Sequence, residues 1–311
     1  MKKTIAFILT TLMLLGTVAA FAGCSSGPRS TEIIDGHTYK LNQDGQTYTL
    51  NIIDSGFSGT EFTVPSTITD AGYKVTALGN NAFNGNTTIE KITLPEGLTI
   101  IRGLNDCTAL KSINIPSTVT TIDTSAFYGC TALKKIVLPD SVTTIEYQAF
   151  SGCSALEEIN IPASVTTIGD EAFADCTALT QLPIGIGVTT IGDSAFYGCT
   201  KLESIKILEN VTTMGDSAFA NCSALKSVTL NNKLDTLSNG MFSNCTALVN
   251  ITIPANVTTI ETDALDARFI KTITYGGTMA AFESSGGLEL QRRYTVKCSD
   301  GTIEPTITPA E

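Results

Sequence analysis

Between Val119 and Val257 the apolar residues fall into columns instead of a single amphipathic stripe. Phe127, Phe150, Phe173, Phe196, Phe219 and Phe242 stand 23 residues apart, as do Cys107, Cys130, Cys153, Cys176, Cys199, Cys222 and Cys245. A third column runs through Val119, Val142, Val165, Val188, Val211, Leu234 and Val257. A fixed period of roughly 20–50 residues is the signature of stacked repeats. Within one unit, Ile136 and Leu138 alternate with Lys135 and Val137, the period-2 pattern of a strand with one buried face. Proline closes this strand at Pro116, Pro139, Pro162 and Pro254, since it cannot donate to the next ladder bond. Val142-Thr143-Thr144-Ile145 predicts a second, shorter extended piece. The following Gly-Asp-x-Ala-Phe predicts a turn entering a single helical or 3-10 turn, with Asp170, Asp193 and Asp216 at the N-cap position.

One unit cannot bury its own Phe, Leu and Ile, but stacked units close a continuous core over in-register strands. The unit reads V-T-T-I-G-D-x-A-F-x-x-C-x-x-L-x-x-I-x-I-P. It resembles the BspA-type leucine-rich repeats, whose motif is A-F-x-x-C-x-x-L-x-x-I-x-L-P, over about two-thirds of the chain from Phe62 to Tyr275. The expected fold is a leucine-rich-repeat-like solenoid. It is a right-handed stack with a parallel β-sheet, short second strands and single helical or 3-10 turns, on the 23-residue period. Three departures mark irregular places: the unit from Leu98 to Pro116 is two residues short with Leu104 in the Phe column, Asn86 fills the Cys column, and Gly185 replaces the closing proline.

The ends differ from the repeat, as the caps of a solenoid must. His37 to Leu50 reads as a hairpin, and Phe62 to Pro65 as a first strand. Leu265 and Arg268 break the Phe and Cys columns, and Tyr275 to Thr278 and Tyr294 to Cys298 read as final strands. Lys2 and Lys3 followed by the uncharged Ile5 to Ala20 predict an export signal. Phe21-Ala22-Gly23-Cys24 resembles the bacterial lipobox, which implies a lipid on Cys24 and a bacterial surface location. The expected organisation is a signal peptide at 1–23, a flexible tether at 24–34 and an N-terminal β cap at 35–74. The repeat solenoid follows at 75–275, then a C-terminal cap and loose tail at 276–311.

Charge narrows the partners. Without the first 23 residues the chain holds 17 basic residues against 30 acidic, a net of −13. Such a surface repels phosphate backbones, which argues against nucleic acid. The only membrane contact expected is through the lipid. Trp is absent and His37 is the single histidine, which weighs against general-base chemistry and leaves no enzyme expected. No G-x-S-x-G, P-loop or dinucleotide fingerprint occurs. No cofactor or metal is expected, because the cysteines lack the short spacings of a zinc site. A parallel column of thiols reads as small buried hydrophobes.

What remains is a surface. Outward strand positions are Asn114, Val137, Asn160, Pro183, Lys206, Thr229 and Thr252, flanked by Lys135, Glu158 and Gln181. Tyr128 and Tyr197 share one turn column and are candidate adhesive residues. The resemblance implies adhesion to host extracellular matrix or to microbial surface proteins. The alternatives are a structural component of the cell envelope without a specific ligand, and a carbohydrate-capturing lipoprotein.

Overall fold

The computed structural model describes residues 27–182, 184–261, 263–265 and 269–305. The leader, Cys24, Pro183 and Arg268 lie outside the described residues. The chain winds into a β-solenoid of parallel ladders with little helix. Its core is one continuous apolar column from Tyr39 to Val296. Every Phe from Phe127 to Phe242 in the repeat column is fully buried, and each ring stacks on the next at 5.2–5.9 Å. Leu104 fills the same column where the short unit interrupts it.

The Thr-Thr-Ile pieces make the longest ladder. Ile100–Ile101, Thr121–Ile122, Thr144–Ile145, Thr167–Ile168, Thr190–Ile191 and Thr213–Met214 form one six-stranded parallel sheet. Its register pairs Thr121 with Thr144 and Ile145 with Ile168. β-branched residues suit such narrow stacked strands. Threonine hydroxyls also reach back one unit: Thr143 donates to the Thr120 carbonyl and Thr189 to the Thr166 carbonyl, both at 3.2 Å.

The first-strand face, expected as the main sheet, is divided into shorter ladders. Glu61–Thr63, Lys91–Thr93 and Ser112–Ile113 form one, Lys135–Ile136 and Glu158–Ile159 a second, and Ser204–Lys206 and Ser227–Thr229 a third. The gap between the second and third falls at the unit holding Pro183. Proline has no N–H to give a ladder there, and Ile184 N–H turns back to the Leu182 carbonyl instead.

The helical turn expected after Gly-Asp is a run of hydrogen-bonded turns without helix. Ser125, Gln148, Glu171, Ser194 and Ser217 all have φ between 53° and 56°. Left-handed backbone at these positions breaks a right-handed helix. It also aims each N–H at the neighbouring unit: Gln148 donates to the Asp170 carbonyl at 3.0 Å and Glu171 to the Asp193 carbonyl at 2.8 Å. Phe150 N–H and Gly152 N–H bond the Ala172 and Ala174 carbonyls in the same manner. The turns are therefore stitched to one another by a ladder of their own. Asp170 and Asp193 cap no helix; each Oδ1 accepts the backbone N–H of the aspartate one unit on, at 2.9 and 2.8 Å.

At the N-terminus, β1 (Thr31–Ile34), β2 (His37–Leu41) and β3 (Thr47–Ile52) form an antiparallel meander. It continues into β6 (Tyr73–Leu78) and β5 (Thr67–Ile68), with β4 (Glu61–Thr63) opening the first-strand face instead. Residues 31–34, read from sequence as the end of a flexible tether, are thus an edge strand of this sheet. His37 is buried in it; its Nδ1 accepts the Asp54 N–H at 3.0 Å and its ring packs edge-on against Phe57 and Phe62. At the other end Thr272–Tyr275, Thr295–Cys298 and Gly301–Ile303 extend the ladder of Asn250–Ile253. Between the first two of these lies a kinked helical run that the sequence pattern does not suggest, α1 (Met279–Phe282) and α2 (Leu288–Gln291) joined by a π-helical turn over Glu283–Gly287. Phe282 is driven fully into the core against Tyr275, and Thr278 caps α1.

Candidate functional site

Two surfaces of the solenoid present side chains in register. On the first-strand face, Asn114, Val137, Asn160, Lys206, Thr229 and Thr252 are all exposed, as are Lys135, Glu158 and Gln181. Val137 is 60% exposed, an unusual setting for a branched apolar side chain. It borders an open depression of about 680 Å³ that also touches Lys135, Glu157, Thr180 and Gln181.

The strip is not uniformly free to bind. Asn160 Oδ1 accepts the Leu138 N–H and its Nδ2 donates to the Leu138 carbonyl, both at 2.8 Å. Asn114 grips Leu94 in the same way at 2.7 and 2.9 Å. Leu94 and Leu138 each precede the proline that ends a strand, so the amide replaces the ladder partner their backbone would lack. These two asparagines, read from sequence as outward contact residues, are fastened to the backbone. Asn160→Ala should cost about 1 kcal/mol of stability by leaving both Leu138 groups without their bonds. Urea unfolding of the variant checks this, and an unchanged midpoint would show that water replaces the amide at no cost.

Four lysines on this face are paired across neighbouring units. Lys91 meets Glu61 at 3.3 Å, Lys111 meets Glu90 at 2.8 Å, Lys226 meets Glu203 at 3.3 Å, and Lys135 meets Glu158. All are exposed, so each contributes at most about 1 kcal/mol.

The turn edge is different in chemistry. Tyr128 and Tyr197 are each 39% exposed, and the positions between them in their column are Ser151 and Ala174. The small residues leave a groove of about 340 Å³ walled by the two tyrosines, with Glu171 and Asp175 along it. Gln148 Nε2 donates to Glu171 Oε2 at 2.7 Å and holds that carboxylate. Gly198 has φ +69°, and a Cβ there would lie 2.2 Å from Asp175 Oδ1, so glycine makes room for the carboxylate. Sequence reading singled out the two tyrosines; the groove was legible only as a gap of small residues in their column.

The cysteine column carries no reactive site. Each thiol from Cys107 to Cys245 donates to a main-chain carbonyl of an earlier unit at 3.1–3.3 Å, as Cys153 does to Phe127. All seven are unpaired and buried. Burial pushes the Cys107, Cys153, Cys199 and Cys245 thiols up to about 12, and it raises Cys130, Cys176 and Cys222 strongly as well. Cys298 is half-buried and also unpaired. Among the described residues, no three His, Cys, Asp or Glu side chains converge on a point where a metal ion could sit. No helix among them is long and apolar enough to cross a membrane.

A family model described as the BspA type leucine-rich-repeat region matches residues 51–180 and 166–286. The fold is similar to a leucine-rich cell surface protein of Faecalibacterium prausnitzii. That structure has 22% identity and a TM-score of 0.57, with 89% of this chain and 97% of that one covered. It is also similar to the pneumococcal vaccine antigen PcpA, at 22% identity and a TM-score of 0.51, covering 80% of this chain and 82% of that one. No curated protein matches the chain in sequence.

Proposed function

This chain belongs to the BspA-type leucine-rich-repeat family, and from that premise we propose that it is a non-catalytic recognition protein of the bacterial cell surface. In this reading it is an adhesin that uses its first-strand face to bind host extracellular or microbial surface proteins. The leader at 1–23 exports it, and a lipid on Cys24 holds it to the membrane. Solved proteins of the same fold include one described as a cell surface protein and one as a vaccine antigen, which agrees with exposure outside the cell.

The observation that carries the reading is the exposed row of Val137, Gln181, Lys206, Thr229 and Thr252. Among the described residues these side chains make no hydrogen bond or ion pair, and their strands are anchored on a fully buried core. Rigid presentation lowers the ordering cost of binding. Val137 supplies an apolar contact at one end, and the polar residues supply orientation along the rest. A mixed, shallow face of this kind suits a protein partner better than an enclosed small molecule.

The test is binding of the purified protein to immobilised matrix glycoproteins, to whole bacteria and to a glycan panel at physiological salt. We expect saturable binding to a protein surface that falls at least tenfold when Val137→Arg and Gln181→Arg are combined. Binding that survives this pair would place the contact elsewhere. Folded protein that binds nothing would favour a structural role in the envelope.

A further inference from the structure

The lysines of the repeats are sorted by face. The six lysines between residues 103 and 230 are Lys111, Lys134, Lys135, Lys201, Lys206 and Lys226, and all lie on or just before the first strands. The five turn segments 122–130, 145–153, 168–176, 191–199 and 214–222 hold no lysine or arginine at all. They carry seven carboxylates, of which Asp170, Glu171 and Asp175 fall in one turn. Among the described residues, the only ion pair these seven make is Asp123 with Arg102, at 3.0 Å, at the end of the row. The exposed tyrosines of the repeats are on this edge too: Tyr128, Tyr147 and Tyr197, at 39–43% exposure.

From this we propose that the turn edge is a second binding surface, and that the groove between Tyr128 and Tyr197 takes an extended, lysine- or arginine-rich segment of a partner protein. Three features converge on that chemistry. The groove itself is a built depression, produced by Ser151 and Ala174 where the column could hold further tyrosines. Its walls include two tyrosines, and a tyrosine ring face attracts a guanidinium or ammonium within about 6 Å. Along it lie Glu171 and Asp175, which pair with no cation among the described residues.

Spacing argues for a polymer over a single ion. The carboxylates do not gather in threes around one point. They are strung out along the stack, whose units repeat every 5.2–5.4 Å in this region. Tyr128 and Tyr197 are three units apart, roughly 16 Å, the length of about five residues of extended chain at ~3.3 Å each. A neutral glycan could stack on the tyrosines but would leave the carboxylates unpaired. A basic segment satisfies both. This surface is distinct from the first-strand face, so the two proposals stand or fall separately.

The test uses a fluorescent nonapeptide with arginine at alternate positions, titrated with the purified protein at 50 and 300 mM salt. A peptide with glutamate at the same positions and a neutral oligosaccharide serve as comparisons. We expect saturable binding of the basic peptide, at least tenfold weaker at the higher salt and undetectable for the glutamate peptide. Ala174→Tyr, which fills the groove with a side chain its column already holds twice, should weaken binding at least tenfold with every charge retained. Glu171→Gln with Asp175→Asn should do the same and flatten the salt dependence. Val137→Arg with Gln181→Arg, on the other face, should change it less than twofold. Unchanged thermal midpoints in these variants verify that each is folded. Equal binding by the groove-filled variant, equal binding of the glutamate peptide, or preference for the neutral oligosaccharide would overturn the proposal.

Discussion

Phe173→Ala should destabilise the solenoid by about 3–5 kcal/mol, the usual cost of deleting a buried aromatic ring. Phe173 is fully buried and lies between Phe150 and Phe196, at 5.2 and 5.4 Å, with ring planes within 8° of parallel. Deleting it removes two stacking contacts and leaves a void whose walls belong to three successive units. Those walls cannot close easily, because the ladders on either side fix the spacing between units. In a linear array stability is close to a sum of unit and interface terms. The loss at the centre should therefore uncouple the two halves and broaden the urea transition, or split it in two. Phe173→Leu should be milder, at about 1–2 kcal/mol, since Leu104 already occupies this column. Tyr128→Ala, at an exposed position, should change stability by less than about 0.5 kcal/mol. Circular dichroism across a urea series checks all three, and an unshifted Phe173→Ala midpoint would refute a stability role for the ring stack.

Alkaline pH should have the other large effect. The seven column thiols titrate near 9.0 when unfolded, but burial raises all of them in the folded chain, Cys107, Cys153, Cys199 and Cys245 to about 12. Below pH 9 both states keep the protons and these groups make stability independent of pH. Above pH 9 the unfolded chain releases protons that the folded chain retains, so stability falls as pH rises, up to the folded values. Each thiol contributes roughly 1.4 kcal/mol per pH unit in that window. Seven acting together amount to about 10 kcal/mol per unit, comparable with the entire stability of an ordinary domain. The protein should therefore unfold cooperatively within the first one or two units above pH 9. Cys153→Ala with Cys176→Ala should reduce the steepness by two protons' worth, whatever it does to stability at pH 7. Denaturation at a series of pH values reads the slope directly. A stability that stays flat from pH 8 to 11 would mean that the thiols ionise without unfolding.

Legibility from sequence followed the range of the interaction. The Phe, Val and Cys columns were readable because the same burial recurs at one spacing, so each unit repeats the evidence of the others. The Thr-Thr-Ile strands were readable for the same reason. The turns were misread as helical, since Gly-Asp-x-Ala-Phe suits a helix start locally. What prevails is a left-handed residue whose N–H bonds the next unit, and no local propensity reports that bond. The helical run holding α1 and α2 has no readable period because Gly286, at φ 101°, kinks it, and because it lies in a cap that occurs once.

The candidate surfaces divide along the same line. The sequence by itself determined the period, the identity of the buried columns, the polar character of the first-strand face and the presence of two tyrosines in register. These follow from residue type and spacing, and residue type decides which side chain leaves water. Only the tertiary structure decided how exposed polar side chains are spent. It turned Asn114 and Asn160 onto the backbone of the preceding unit, paired four lysines of one face with its glutamates, and left Glu171 and Asp175 of the turn edge beside a groove. Those outcomes depend on distances of a few ångströms between residues twenty or more positions apart, and the stacking of units sets those distances.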